Sequence, residues 1–160
     1  VTGSHLYYGR AIDYTISPAL SEIASEQANP TQKTREKTQR LMDYVYTYFN
    51  AFIRYYASDM VLHVDSDVVY LVAPKARSRV AGYFQMGNHP NNKTKSTLNG
   101  AIHVECKTLR HVVSSAAEAE TAWVFHNAQM ALLIRVVLQA SSPTAHPNQN
   151  RQLNSQRIYT

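Results

Sequence analysis

Val61-Leu62-His63-Val64-Asp65-Ser66-Asp67-Val68-Val69-Tyr70 decides how the rest of the chain is read, because an alternating, β-branched run here holds two acids that a strand interior disfavours. Side chains alternate along a strand, so Asp65 and Asp67 share one face and Ser66 takes the other. Two carboxylates that close repel each other unless a cation or a proton lies between them. An oxygen-ligand metal site is therefore one reading of the pair, and a solvent-facing strand end is the other.

Working outward, Pro74 ends this strand and Arg79 to Met86, containing Gly82, reads as a second. Gly87-Asn88-His89-Pro90-Asn91-Asn92 and the polar tract to Gly100 form a turn and long loop, and Ala101 to Lys107 alternates as a third strand. The connections are too short for a crossover helix, so an antiparallel meander is expected. Ser114 or Ser115 then caps a long helix reaching about Ala140; apolar on almost every face from Ala128 to Leu138, it is expected to lie largely buried across the sheet. The tail from Ser141 is polar and reads as loop or disorder with at most a short, degenerate fourth strand.

Toward the N-terminus, residues 1–16 carry no clear period. Ser17-Pro18 starts a short helix ended by Asn29-Pro30, and Asn29 or Thr31 caps a second running to about Tyr48. On that second helix Leu41, Met42, Val45, Tyr48 and Phe49 form an apolar face, while Lys33, Lys37 and Arg40 form a solvated one. Tyr44, Tyr46, Tyr48, Tyr55 and Tyr56 crowd one span. Tyrosines at this spacing are expected to line a core, although aromatics beside cations can also stack on bases. The class is thus α+β, a three-stranded meander covered by a long helix and preceded by two N-terminal helices.

The 160 residues, 44% of them hydrophobic, suffice for one ordinary core. No apolar run long enough to span a bilayer and no secretory leader is visible, and Cys106, the one cysteine, excludes an internal disulfide and fits a reducing, intracellular compartment, cytoplasmic or nuclear. The net charge of +5 is unevenly placed. Acids and bases balance up to Asp59, and the excess gathers in Lys75, Arg77, Arg79, Lys93, Lys95, Lys107 and Arg110, opposed in that interval only by Glu105. A basic field beside a small acidic cluster suits a nucleic-acid enzyme, since phosphates are drawn in and a metal is held; a soluble basic domain has the same composition. Glu120, near the start of the long helix, is favoured there by the helix dipole, and a helix crossing the meander can set it over the first strand to share a divalent ion with Asp65.

These segments carry a resemblance. Asp65-Ser66-Asp67, then Ala76-Arg77-Ser78-Arg79-Val80-Ala81-Gly82-Tyr83-Phe84, then Glu105-Cys106-Lys107, then Ser114-Ser115-Ala116-Ala117-Glu118-Ala119-Glu120 are similar to the ribonuclease H domain of copia-type retrotransposon polyproteins. Upstream, Gly3 to Tyr8, Arg10-Ala11-Ile12-Asp13, Asn29-Pro30-Thr31, Leu41-Met42-Asp43-Tyr44 and Ile53-Arg54-Tyr55 resemble the end of the reverse transcriptase and its tether. The resemblance implies a tether over 1–58, a ribonuclease H-like core over 59–140 and a polar tail over 141–160. It makes Asp65 and Glu120 the catalytic carboxylates, with Asp67 as a neighbouring metal ligand, and implies Mg²⁺, or Mn²⁺ in its place, hydrolysing the RNA strand of an RNA-DNA hybrid. The basic residues would contact phosphates of that hybrid or of structured RNA. The pattern also departs from the family: Leu153-Asn154-Ser155 puts leucine where a third acid belongs, and no match to the fourth acid follows. Impaired catalysis is expected on that ground, the alternative being an inactive, domesticated or remnant module that binds nucleic acid or assists assembly. The remainder of a polyprotein, or another protein, would cover the incomplete sheet, with no membrane involved.

Overall fold

The computed structural model describes residues 2–89 and 97–141. Their elements follow the order α1 (Thr2–Ala11), a single 3-10 turn (Tyr14–Ile16), α2 (Ser17–Ser25), α3 (Gln32–Thr47), β1 (Val61–Ala73), β2 (Arg77–Gly87), β3 (Ala101–Thr108) and α4 (Ala116–Ser141). The α+β class and the antiparallel meander, in the order β1-β2-β3, match the sequence reading. Three helices rather than two precede the sheet: α1 has almost no amphipathic pattern, so nothing in its periodicity announces it.

Local chemistry sets the boundaries of the helices. Pro18 stands in the first turn of α2, where its missing N–H costs nothing. Thr31 caps α3: its hydroxyl accepts from the Thr34 N–H at 3.3 Å and the Thr34 hydroxyl accepts from the Thr31 N–H at 3.0 Å, a reciprocal box with threonine in place of the usual glutamate. Lys37 does not simply face water, because its ammonium lies 2.8 Å from Glu22 and 2.6 Å from Glu26 and so ties α3 to α2. At the far end, the Ser115 hydroxyl accepts from the Glu118 N–H at 3.1 Å and starts α4 as the sequence indicates. The β1–β2 hairpin turns through Lys75 and Ala76, both at positive φ (63° and 50°), the backbone shape of a primed hairpin turn without the glycine that usually supplies it.

Two apolar clusters hold these pieces together. Ile16, Leu20, Ile23 and Leu41 join the 3-10 turn, α2 and α3, with Tyr8 and Val45 packed at the margin. Leu62, Val64, Phe84, Met86 and Ala131 join α4 to the sheet, flanked by Met130, Ile134 and Leu138. Each fully buried Leu, Val or Phe contributes about 1.5–3 kcal/mol, so the second cluster fixes the pose of α4 on the sheet.

Three expectations about burial are corrected. The tyrosine-rich span is not core: Tyr46 is 84% exposed, and Tyr44, Tyr48, Tyr55 and Tyr56 are exposed as well. On α3 only Thr34 and Leu41 are buried, so Met42, Tyr48 and Phe49 of the expected apolar face lie open. On α4 the buried stripe is Ala119, Trp123, Asn127 and Ala131, while Leu132, Leu133, Val136 and Val137 are exposed. The reason is the same for both helices: one neighbouring layer covers one stripe, and no second layer is packed on the other side among the described residues. By length and composition α4 also suffices to cross a membrane, contrary to the expectation that no stretch does.

Candidate functional site

The β1–β2 register runs unbroken from Val61 to Val69. Within it, Ser66 accepts a hydrogen bond from the buried Asn127 amide of α4 at 2.6 Å, and Leu62 and Val64 pack on Ala131. Alternation therefore turns Asp65 and Asp67 to the face away from α4. Over that face lies the 3-10 turn, whose Tyr14 meets Tyr83, the cross-strand partner of Asp65, edge to face at 5.4 Å. Asp65 accepts a hydrogen bond from the Gln85 amide at 3.4 Å. Gln85 is buried and its side-chain oxygen accepts from the Asn99 N–H, while the Tyr83 hydroxyl donates to the Asn99 carbonyl at 2.7 Å. Burial first, then the Tyr14 hydrogen bond and the negative charge of Asp65, push the Tyr83 hydroxyl far above the usual phenol range. Asp65 is thus one end of a polar network inside the fold as well as an exposed acid.

Glu120 is exposed on the first turns of α4, the layer on the opposite face of the sheet. Among the described residues no group of three or more His, Cys, Asp or Glu side chains could hold a metal ion, so Asp65, Asp67 and Glu120 do not assemble as a ligand set. An octahedral Mg²⁺ needs protein carboxylates converging on one point, and two-ion catalysis needs more of them. The acids described here do not fit that requirement.

The cations expected to form one shelf are divided. Arg77 and Arg79, two residues apart on β2, share the Asp65 face, Lys107 of β3 looks toward α4, Lys75 projects from the hairpin tip, and Arg110 is exposed beyond β3. Lys93, Lys95 and Leu153 lie outside the described residues. Burial pushes the Cys106 thiol up, with the Arg79 charge opposing it, so this cysteine is a packed group rather than an activated nucleophile.

What the sequence reading missed is the setting of Glu105, which enters there as the one acid among the cations and as part of the Glu105-Cys106-Lys107 segment. Its carboxylate lies 3.1 Å from the Lys107 ammonium, 2.9 Å from His126 Nε2 and 3.7 Å from His103 Nε2. His126 stacks on Trp123 at 4.6 Å, and the Lys107 ammonium stands 4.8 Å from the centre of the same indole. A signal was present: His103, Glu105 and Lys107 alternate on one strand face, although only packing could bring His126 to them. Burial raises the Glu105 carboxyl, but the hydrogen bonds from Lys107 and His126, with their charges, outweigh it and hold the group below its ordinary 4.5. A depressed carboxyl stabilises the fold above its unfolded value, and that stabilisation is lost as pH falls through the folded value. Between about pH 6 and about pH 3, wild type is therefore expected to lose more stability than Glu105→Gln, read as converging urea midpoints. Parallel curves would show that the cluster contributes nothing.

No family model, curated protein or solved structure matches the chain. Its own residues carry what bears on function. They offer a two-acid strand on one face, a basic pair beside it, a helix acid on the opposite layer, and a carboxylate neutralised by Lys107 and imidazoles under the helix. The first two set two carboxylates and two guanidinium groups on one face of the sheet, with no net charge between them. The last is a structural knot between β3 and α4.

Proposed function

We propose that the chain is the ribonuclease H-like module of a copia-type retroelement polyprotein with its tether. It engages RNA-DNA hybrid or structured RNA through Arg77, Arg79 and the other basic residues, and it is impaired in Mg²⁺-dependent cleavage. The observation that carries this reading is the order of the elements: three antiparallel strands, with Asp65 on the first, followed by a helix that begins beside Glu120 and packs back onto that first strand. That is the order the quoted motifs require. Impairment follows from the acids, since Asp65, Asp67 and Glu120 do not form a three-ligand group and leucine stands at position 153.

A second reading, favoured by that same lack of a ligand set, is a module that binds nucleic acid without cutting it. Both readings expect binding that weakens as salt rises, with a slope near 0.9 for each phosphate neutralised. Only the first expects residual cleavage. A labelled hybrid incubated with Mg²⁺ and the 160-residue chain, beside Asp65→Asn and Glu120→Gln, separates them. Activity lost in either variant supports the enzyme, and equal activity in all three leaves only the binder. Hybrid binding indifferent to salt would remove both.

A further inference from the structure

The cleft between the 3-10 turn and the end of α3 has a chemistry of its own. It encloses about 380 Å³ and is lined by Asp13, Tyr14, Thr15, Tyr44, Tyr48 and Phe52 among others, a size in the range of small-molecule sites. Asp13 is only 7% exposed. Its Oδ1 caps the turn by accepting from the Thr15 N–H at 3.1 Å and from the Thr15 hydroxyl at 2.5 Å. Oδ2 has no hydrogen-bond partner among the described residues, and no Lys, Arg or His among them forms an ion pair with Asp13. Oδ2 is open to solvent at the cleft, where a cationic ligand can displace its water.

Around it stand aromatic rings with apolar faces. Tyr44 and Tyr48, one turn apart, lie 4.8 Å between centroids with a 46° tilt, and the Tyr44 hydroxyl meets the Thr15 hydroxyl at 3.2 Å, joining helix to turn. Phe52 already carries a cation, the Arg54 guanidinium 5.3 Å from its centroid. Tyr48 and Phe52 are 54% and 70% exposed, so the rim is open to a ligand.

We propose that this cleft binds an organic cation of the methylated or quaternary ammonium class, its charge against Asp13 and its methyl groups against the rings. The sign and softness of the charge decide the class. A phosphate or carboxylate ligand would be repelled by Asp13, and a neutral apolar ligand would leave that carboxylate unpaired. A small hard metal ion demands several oxygen ligands where this cleft offers mainly ring faces. A diffuse, poorly hydrated ammonium satisfies both the acid and the aromatics. Such a group reaches the cleft either as a free small molecule or as a methylated lysine side chain on another protein. The inference stands whether or not the chain binds nucleic acid.

The test titrates the full 160-residue chain with choline, with a short peptide carrying trimethyllysine, and with dimethylbutanol, in which carbon replaces the ammonium nitrogen of choline. Heat of binding and the ring resonances of Tyr44, Tyr48 and Phe52 are followed. At least one cation is expected to bind about tenfold or more tighter than the alcohol. Tighter binding of the peptide identifies a protein side chain as the source, and binding no tighter than choline identifies a free cation. Asp13→Asn, which keeps an oxygen for Thr15, and Tyr48→Leu, at an exposed position, are each expected to weaken binding by about tenfold. Equal affinity for the neutral isostere, no shift of the ring resonances with either cation, or unchanged affinity in Tyr48→Leu overturns the proposal.

Discussion

Asn99→Ala is expected to lower the stability of the fold by about 3 kcal/mol. The side chain is buried and makes four hydrogen bonds. Its amide nitrogen donates to the Tyr56 carbonyl at 2.9 Å and to the Met86 carbonyl at 2.7 Å; its oxygen accepts from the Tyr56 N–H and the Gly100 N–H, each at 2.8 Å. Alanine leaves all four backbone groups without partners. Those of the exposed Tyr56 regain water, while those at Met86 and Gly100 are buried, and each buried orphan costs about 1–3 kcal/mol. Because Asn99 is the clip between the irregular segment before β1 and the loop before β3, the Tyr56 amide should also exchange freely in the variant. Asn99→Asp keeps the acceptor but sets a carboxylate oxygen against the Tyr56 and Met86 carbonyls in a buried site, so near neutral pH it should be at least as destabilising as alanine. Urea midpoints and amide exchange check this, and a variant within about 0.5 kcal/mol of wild type would show that the clip does not hold the segment.

Gly82→Ala is expected to cost about 2–3 kcal/mol for a different reason, overpacking. A Cβ at position 82 would lie 2.6 Å from Asn127 Oδ1 and 3.0 Å from Asn127 Nδ2. Asn127 is fully buried and donates to Ser66, so it yields only if α4 lifts from the sheet or that hydrogen bond breaks. The glycine is there for close approach of helix to strand, the role a lone glycine in a strand often has. Asn127 Oδ1 has no hydrogen-bond partner, so removing the amide forfeits little on that side. Thermal unfolding of Gly82→Ala, Asn127→Ala and the double variant gives the coupling. The double variant should be more stable than Gly82→Ala alone, with a coupling of about 1 kcal/mol or more. Additive losses would place the strain elsewhere.

The two residues differ in how far the sequence announces them. Gly82 interrupts a strand-like run, which by itself marks a bulge or a close approach. Asn99 sits in a polar tract where asparagine is unremarkable, and only the fold turns it inward. The acids show the same division. The alternation through Asp65 and Asp67 fixes that they share a face, and β1 bears this out. It cannot say which face the helix will cover. Packing put Leu62, Val64 and Ser66 under α4, and so set Asp65 and Glu120 on different layers.

The elements that sequence determines are those written in short-range chemistry: proline and threonine at the helix starts, β-branched alternation in the strands, and a β1–β2 connection too short for anything but antiparallel pairing. Backbone sterics and hydrogen bonding act over a few residues, so a few residues suffice to read them. Tertiary structure alone decided which apolar faces find cover, which is why the tyrosines of α3 and the valines of α4 are open to solvent. It alone brought His126 to Glu105 and set Tyr48 and Asp13 on one cleft. Burial and convergence belong to pairs of distant segments, and whether a side chain gains a partner depends on a layer that its own stretch of sequence does not contain.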